Sequence, residues 1–152
     1  QLCMQKIFLI ILLLICYYSQ SYSKEIYYLM LKNNTVNVRY GPSFEYPVKY
    51  IYKQKFLPLQ VIDKKENFRK VIDHMKNSGW IHISQLKKSE SVVIIEEQLL
   101  FSKASKFSKP IAKLGKGRLL VIKKCKKNWC KANTENYWGW IEVNNVWGRN
   151  VN

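Results

Sequence analysis

The chain carries one small unit twice, at a spacing of about sixty residues. That constrains the fold more than any other feature, because a repeat is one supersecondary or small-domain unit. Pro47 and Val48 correspond to Pro110 and Ile111, and Val61-Ile62-Asp63 to Val121-Ile122-Lys123. Asn67-Phe68-Arg69-Lys70-Val71 corresponds to Asn128-Trp129-Cys130-Lys131-Ala132, and Gly79-Trp80-Ile81 to Gly139-Trp140-Ile141. Four matched blocks in one order are hard to obtain by chance. Lys87, Lys88, Ser89 and Glu90 form a polar seam, so the units are expected at residues 24–88 and 89–152. A unit this short encloses a single small core and excludes a large enzyme built on a wide parallel sheet.

Within each unit the hydrophobic period is two. Val36 and Val38 alternate with Asn37 and Arg39, and Gly41, Pro42 and Ser43 then make a turn. β-Branched and aromatic runs follow at residues 48–53, 57–63, 68–73 and 79–83, with a hairpin tip at residues 64–67. Short runs of this kind, split by turn residues, are the pattern of a small β-barrel. No stretch after the N-terminal segment keeps a 3.6-residue stripe over three turns. The expected class is all-β, two tandem small barrels.

These residues carry a resemblance. Asn37-Val38-Arg39-Tyr40-Gly41-Pro42, then Tyr46-Pro47-Val48, Leu59-Gln60-Val61-Ile62, Asn67-Phe68-Arg69-Lys70-Val71 and Gly79-Trp80-Ile81-His82 resemble the bacterial SH3 (SH3b) family. The second copy is similar but degenerate: Leu99-Leu100-Phe101-Ser102-Lys103 stands where the Arg-x-Gly-Pro element belongs. The resemblance implies SH3-like, five-stranded, partly open barrels. It also implies binding to the cell wall or to a protein partner, without a hydrolase domain in this chain.

The N-terminus reads as an export address. Lys6 precedes an apolar run at residues 7–16, followed by Tyr17 and Tyr18. A membrane-spanning helix needs ~20 such residues and a signal peptide ~7–15. Ser21 and Ser23 are small residues at the positions a signal peptidase reads, so residues 1–23 are expected to be a cleaved signal with Met4 as the true start. A lipoprotein signal at Cys16 is disfavoured because Ile15 before it is not small; an uncleaved anchor is the nearer alternative. Export makes the protein secreted or periplasmic, and leaves Cys125 and Cys130 as a cysteine pair in an oxidising compartment. Strand, tip and strand place them across a hairpin, which predicts a disulfide. Zinc would need two more ligands, and His74 and His82 lie in the other copy. Neither a metal nor a cofactor is expected.

The net charge of +16 invites an anionic partner. Yet 22 of the 26 cations are Lys, in a chain rich in Lys, Asn, Ile and Tyr, as A/T-rich codons would produce. Charge alone therefore does not point to nucleic acid, and the export signal argues against it. Catalytic motifs are missing: no Gly-x-Ser-x-Gly elbow, no His-Glu-x-x-His, no P-loop. The chain reads as a non-enzyme. The binding candidates are Arg39, whose guanidinium fork suits a carboxylate, and Tyr40, Tyr46, Tyr50 and Tyr52, which offer a groove with apolar faces and polar tips. Trp80 joins them as a stacking platform, although an aromatic after that Gly more often plugs the barrel. The expected ligand is peptidoglycan or another anionic envelope component, held by the first barrel. The alternative is a periplasmic protein–protein adaptor using the same loops. The exported protein is predicted to begin at Lys24; mass spectrometry of the secreted form checks this, and a retained Met4 would indicate a membrane-anchored protein.

Overall fold

The computed structural model describes Lys6 and residues 25–149. The proposed cleavage point after Ser23 and the lipoprotein alternative at Cys16 lie outside the described residues. The first copy holds β1 (Tyr27–Leu31), β2 (Val36–Arg39), β3 (Val48–Tyr52), β4 (Pro58–Lys65), β5 (Phe68–Ile72), β6 (Ser78–His82) and β7 (Leu86–Lys88), with a 3-10 turn at Ile83–Gln85. The second holds β8 (Ser91–Ile94), β9 (Gln98–Phe101), β10 (Pro110–Leu114), β11 (Leu119–Lys126), β12 (Trp129–Asn133), β13 (Trp138–Glu142) and β14 (Val146–Trp147). Each copy is one antiparallel sheet of seven strands, ordered β3-β2-β6-β5-β4-β1-β7 and β10-β9-β13-β12-β11-β8-β14. The class is all-β, as expected. The five strands that the resemblance implied are joined in each copy by short flanking strands.

Each sheet curls around its own core. Leu31, Val36, Val38, Leu59, Val71 and Ile81 are fully enclosed in the first, and Val92, Ile94, Leu100, Leu120, Ala132 and Ile141 in the second. The curl closes where β6 meets β2 through the pair Arg39–Trp80, and where β13 meets β9 through Phe101–Trp140. Glycine permits this approach. A Cβ on Gly79 would lie 2.3 Å from Val38 Cγ1, and one on Gly139 2.6 Å from Leu100 Cγ.

Strand pairing also refines the repeat. Val61 pairs with Val71 and Ile122 with Ala132, each just before a bulge, so Val61 corresponds to Ile122 and not to Val121. Likewise Val48 and Pro110 both pair at the closing position, opposite Arg39 and Phe101. Two of the four blocks thus slip by one residue. The slip matters because adjacent residues face opposite sides of a sheet.

The expected polar seam is also an interface. Lys87 and Lys88 are exposed, but Ser91 is buried, and its hydroxyl donates to the Phe56 carbonyl at 2.5 Å. Val93 belongs to the core of the first barrel, with Leu119 and Trp147 packed against it. Trp147 Nε1 donates to the Pro58 carbonyl at 3.0 Å, and its ring meets Tyr28 edge-on at 5.4 Å. Gly148, at φ +110°, lets the chain lie against Pro58, where a Cβ would come within 2.6 Å of the proline ring.

Cys125 and Cys130 face each other across the β11–β12 hairpin and are disulfide-bonded. A loop of six residues stabilises by ~2 kcal/mol in the loop-entropy account. The first copy places Lys64 opposite Arg69 at these positions.

Two outcomes follow from the shared interface and the staple. Wild type should unfold in one calorimetric transition. Trp147→Ala, which removes one hydrogen bond and one ring contact, should cost about 2–3 kcal/mol, lower the midpoint by roughly 6–15 °C and split the transition in two. Reduction with dithiothreitol should lower the shared transition of the wild type, and in Trp147→Ala only the transition of the second barrel.

Candidate functional site

Alternation decides which side chains can meet. On β2, Val36 and Val38 point into the core, so Asn37 and Arg39 point outward. On β6, Gly79 and Ile81 are buried, so Trp80 and His82 point outward. Ile81, not Trp80, fills the barrel, and Trp80 stands on the outer face between Arg39 and Lys70. Tyr50 pairs with Val38 and Tyr52 with Val36, which puts both tyrosines on the core face of the hairpin. Arg39 therefore does not share a groove with Tyr50 and Tyr52. The expected single site is two.

The first lies outside the sheet. Phe44, from the β2–β3 loop, stacks near Phe68 at 5.2 Å and His82 at 5.1 Å, and Phe68 and His82 meet at 5.1 Å. Arg39 lies 5.4 Å over the Phe44 ring. Its Nη1 donates to the carbonyls of Phe44 (3.3 Å) and Tyr46 (2.8 Å), which fixes the loop. Among the described residues Arg39 hydrogen-bonds through Nη1 alone. The Tyr46 ring lies on Gly41, where a Cβ would come within 2.5 Å, which is why the turn needs glycine there. His82 Nδ1 accepts from the Ser84 amide at 3.3 Å, an assignment that puts the neutral ring's proton on Nε2. Arg39, Phe44, Phe68 and His82, with Asn37 and Gln85, line a cleft of about 240 Å³. Phe44, Phe68 and His82 escaped the sequence reading. Phe68 reads as core on an alternating strand, and nothing in a loop sequence marks Phe44 as the residue that folds back.

The second site is inward and structural. Tyr50 and Tyr52 meet edge-on at 5.2 Å, and their hydroxyls lie 3.3 Å apart. The Tyr52 hydroxyl donates to Asp73 Oδ2 at 2.9 Å. Asp73, 3% exposed, also accepts from the amides of Met75 and Asn77 and from Asn77 Nδ2. One buried carboxylate thus holds the β5–β6 loop. Burial raises both phenols above their ordinary range, and for Tyr52 the hydrogen bonding to Tyr50 and Asp73 adds to it. Tyr40 is exposed, and Lys49 bridges the two sites, its ammonium 5.7 Å from the Tyr40 ring and 5.9 Å from the Tyr50 ring.

The second copy has the same outer cleft with other chemistry. Phe101 replaces Arg39, Trp129 replaces Phe68, and Glu142 replaces His82 in the equivalent pairings. Lys106, from the loop that supplies Phe44 in the first copy, pairs with Glu142 at 2.9 Å. This cleft is lined by Glu96, Glu97 and Glu142 against one lysine. The two clefts carry opposite charge.

A family model described as "Bacterial SH3 domain" matches residues 32–88 and 96–148, well over half of the chain. No curated protein matches it. Among solved structures, NlpC2 from Trichomonas vaginalis aligns at 15% identity and a TM-score of 0.37, over 80% of this chain and 48% of the other. NlpC1 from the same organism aligns at 14% and 0.38, over 86% and 49%. The chain thus spans about half the length of these two proteins.

Tyrosines kept neutral by the fold give a pH dependence of known sign. Their stabilising effect is complete below the ordinary phenol value of about 10. It is lost as pH rises above that value, because the unfolded chain then releases protons that the fold retains. The unfolding midpoint should fall above about pH 10. Tyr52→Phe should flatten that fall and cost about 1–2 kcal/mol at pH 7, where Asp73 loses one donor. Thermal scans from pH 7 to 11.5 read both effects.

Proposed function

Because the chain belongs to the bacterial SH3 domain family, we propose that it is an exported, non-enzymatic binding protein of the cell envelope that recognises peptidoglycan through the outer cleft of the first barrel. The observation that carries this reading is the Arg39 guanidinium, tied to its own loop through Nη1 alone and lining a cleft with His82 and two phenylalanine rings. A guanidinium edge binds a carboxylate through two parallel hydrogen bonds. Peptidoglycan stem peptides offer free carboxylates on an extended chain, and the adjoining rings give an apolar wall for their side chains. The opposite charge of the second cleft supports assigning the contact to the first. Tyr46 supports the loop and Tyr40 lies exposed beside it, so both contribute to the rim. Tyr50 and Tyr52 act from inside, by holding the barrel edge.

The dispersed lysines add an unspecific attraction that reaches only ~8 Å at physiological salt. Two contributions are therefore expected in co-sedimentation with purified sacculi. Raising salt should remove the lysine contribution. Arg39→Lys keeps the charge and loses the fork, so it should weaken the salt-resistant binding about 10-fold or more, as should Phe44→Ala, with the unfolding midpoint of each variant confirming the fold. Salt alone removing all binding, with both variants unchanged, would defeat the cleft and favour the adaptor reading.

A further inference from the structure

A larger cleft, about 700 Å³, lies between the barrels. It is lined by two turns that the repeat makes equivalent: the one from β3 to β4 and the one from β10 to β11. The match is close. Phe56 and Gly117 hold the same left-handed position, at φ 67° and 84°. The amide of Phe56 donates to the carbonyl of Leu31, and that of Gly117 to Ile94; the amide of Leu57 donates to Gln54, and that of Arg118 to Gly115. Lys55 and Lys116 precede the left-handed residue in each turn. The duplication, together with the docking of the barrels, brings these two lysines to one cleft.

Lys53 and Arg118 also line it, against one acid, Glu135. All four cations are exposed, and none has a carboxylate within ion-pair distance among the described residues. Charge is concentrated further around Phe56, whose ring has the ammoniums of Lys55 at 5.0 Å and Lys87 at 4.8 Å. Like charges that line one cleft repel one another, and a multivalent anion between them relieves that repulsion. The remaining walls include Gln54, Asn133 and Thr134, hydrogen-bonding groups suited to phosphate oxygens. Phe56 is the one ring among the described lining residues, and two ammoniums within 5.0 Å of its centroid would compete with a nucleobase stacking there.

We propose that the cleft between the barrels binds a compact multivalent phosphate, gripped by Lys53 and Lys55 from one barrel and Lys116 and Arg118 from the other. The ligand contacts both halves, so its binding stabilises their docked arrangement by linkage. The site is separate from the outer cleft at Arg39, and it does not rest on the peptidoglycan reading.

The test uses tripolyphosphate and the full exported chain. In low salt, millimolar tripolyphosphate should raise the unfolding midpoint by several degrees, and titration calorimetry should show one site. Lys53→Glu with Lys116→Glu should weaken binding at least 10-fold. Lys65→Glu with Lys126→Glu, the same charge change on two exposed hairpin ends, should weaken it less than 3-fold, and Arg39→Lys should leave it unchanged. ATP should bind no more tightly than tripolyphosphate, which separates a free oligophosphate from a nucleotide. Equal loss in the two charge-reversal pairs would reduce the effect to net charge and overturn the proposal. So would the lack of any midpoint shift, or clearly tighter binding of ATP.

Discussion

Each barrel closes because one residue on its last long strand has no side chain. Gly79 and Gly139 let that strand come so near β2 or β9 that a methyl group would overlap Val38 or Leu100. Everything on the outer face follows from this closure by alternation. With Gly79 and Ile81 facing inward, Trp80 and His82 must face outward, and the pairing with Trp80 sets Arg39 beside them. The Gly-Trp-Ile triplet is thus a geometric device. Its glycine makes the contact, its isoleucine fills the core, and its tryptophan is left on the surface.

The class, the duplication and the Cys125–Cys130 hairpin could be read from residue pattern, because each depends on local spacing: period two, turn residues and a short hairpin tip. What could not be read depends on register. The repeat was matched by residue identity at Pro47 and Pro110, whereas pairing opposite the closing strand matches Val48 with Pro110. A bulge beside Val38–Arg39 changes the parity between β2 and β3, so Arg39 and the tyrosines of β3, grouped as one groove, separate onto two faces. In the sequence Asp73 ends the run at residues 68–73, and nothing marks it as an acceptor. Its role as the buried acceptor for Tyr52 required β3 and the β5–β6 loop to be brought together across 21 positions of sequence. The interface between the barrels was equally hidden, since Trp147 and Pro58 are 89 positions apart.

Comparison of the copies shows substitutions that change in sets. In the outer cleft a ring cluster with an arginine, Arg39, Phe44, Phe68 and His82, becomes Phe101, Lys106, Trp129 and Glu142, in which a salt bridge replaces the Phe44–His82 contact and an edge-on ring pair, Phe101 and Trp129, remains. At the β4–β5 tip, Arg69 donates to the Glu66 and Phe68 carbonyls, both at 2.9 Å, and so clamps a turn whose Glu66 is left-handed. The second copy keeps a left-handed residue there, Lys127, and closes the hairpin with the disulfide instead. The fold tolerates either solution because each satisfies the same local need. The clefts do not share a need, and there the chemistry has changed sign.

That contrast bears on the charge. Of the 22 lysines, 21 are spread over both copies, as a compositional bias would spread them, and apart from those at the cleft between the barrels they give a field rather than a site. The four arginines are placed differently. Arg39 orders the first loop and lines the outer cleft, Arg69 clamps a hairpin tip, Arg118 lines the cleft between the barrels, and Arg149 lies 2.7 Å from the Cys125 sulfur. A planar guanidinium with five donors can hold two partners at once, which a point-charge ammonium does less well. Arg39 and Arg69 do so here, each holding two backbone carbonyls through one nitrogen. If the two proposed clefts bind anions, Arg39 and Arg118 are the lining residues whose geometry suits a grip through two parallel hydrogen bonds.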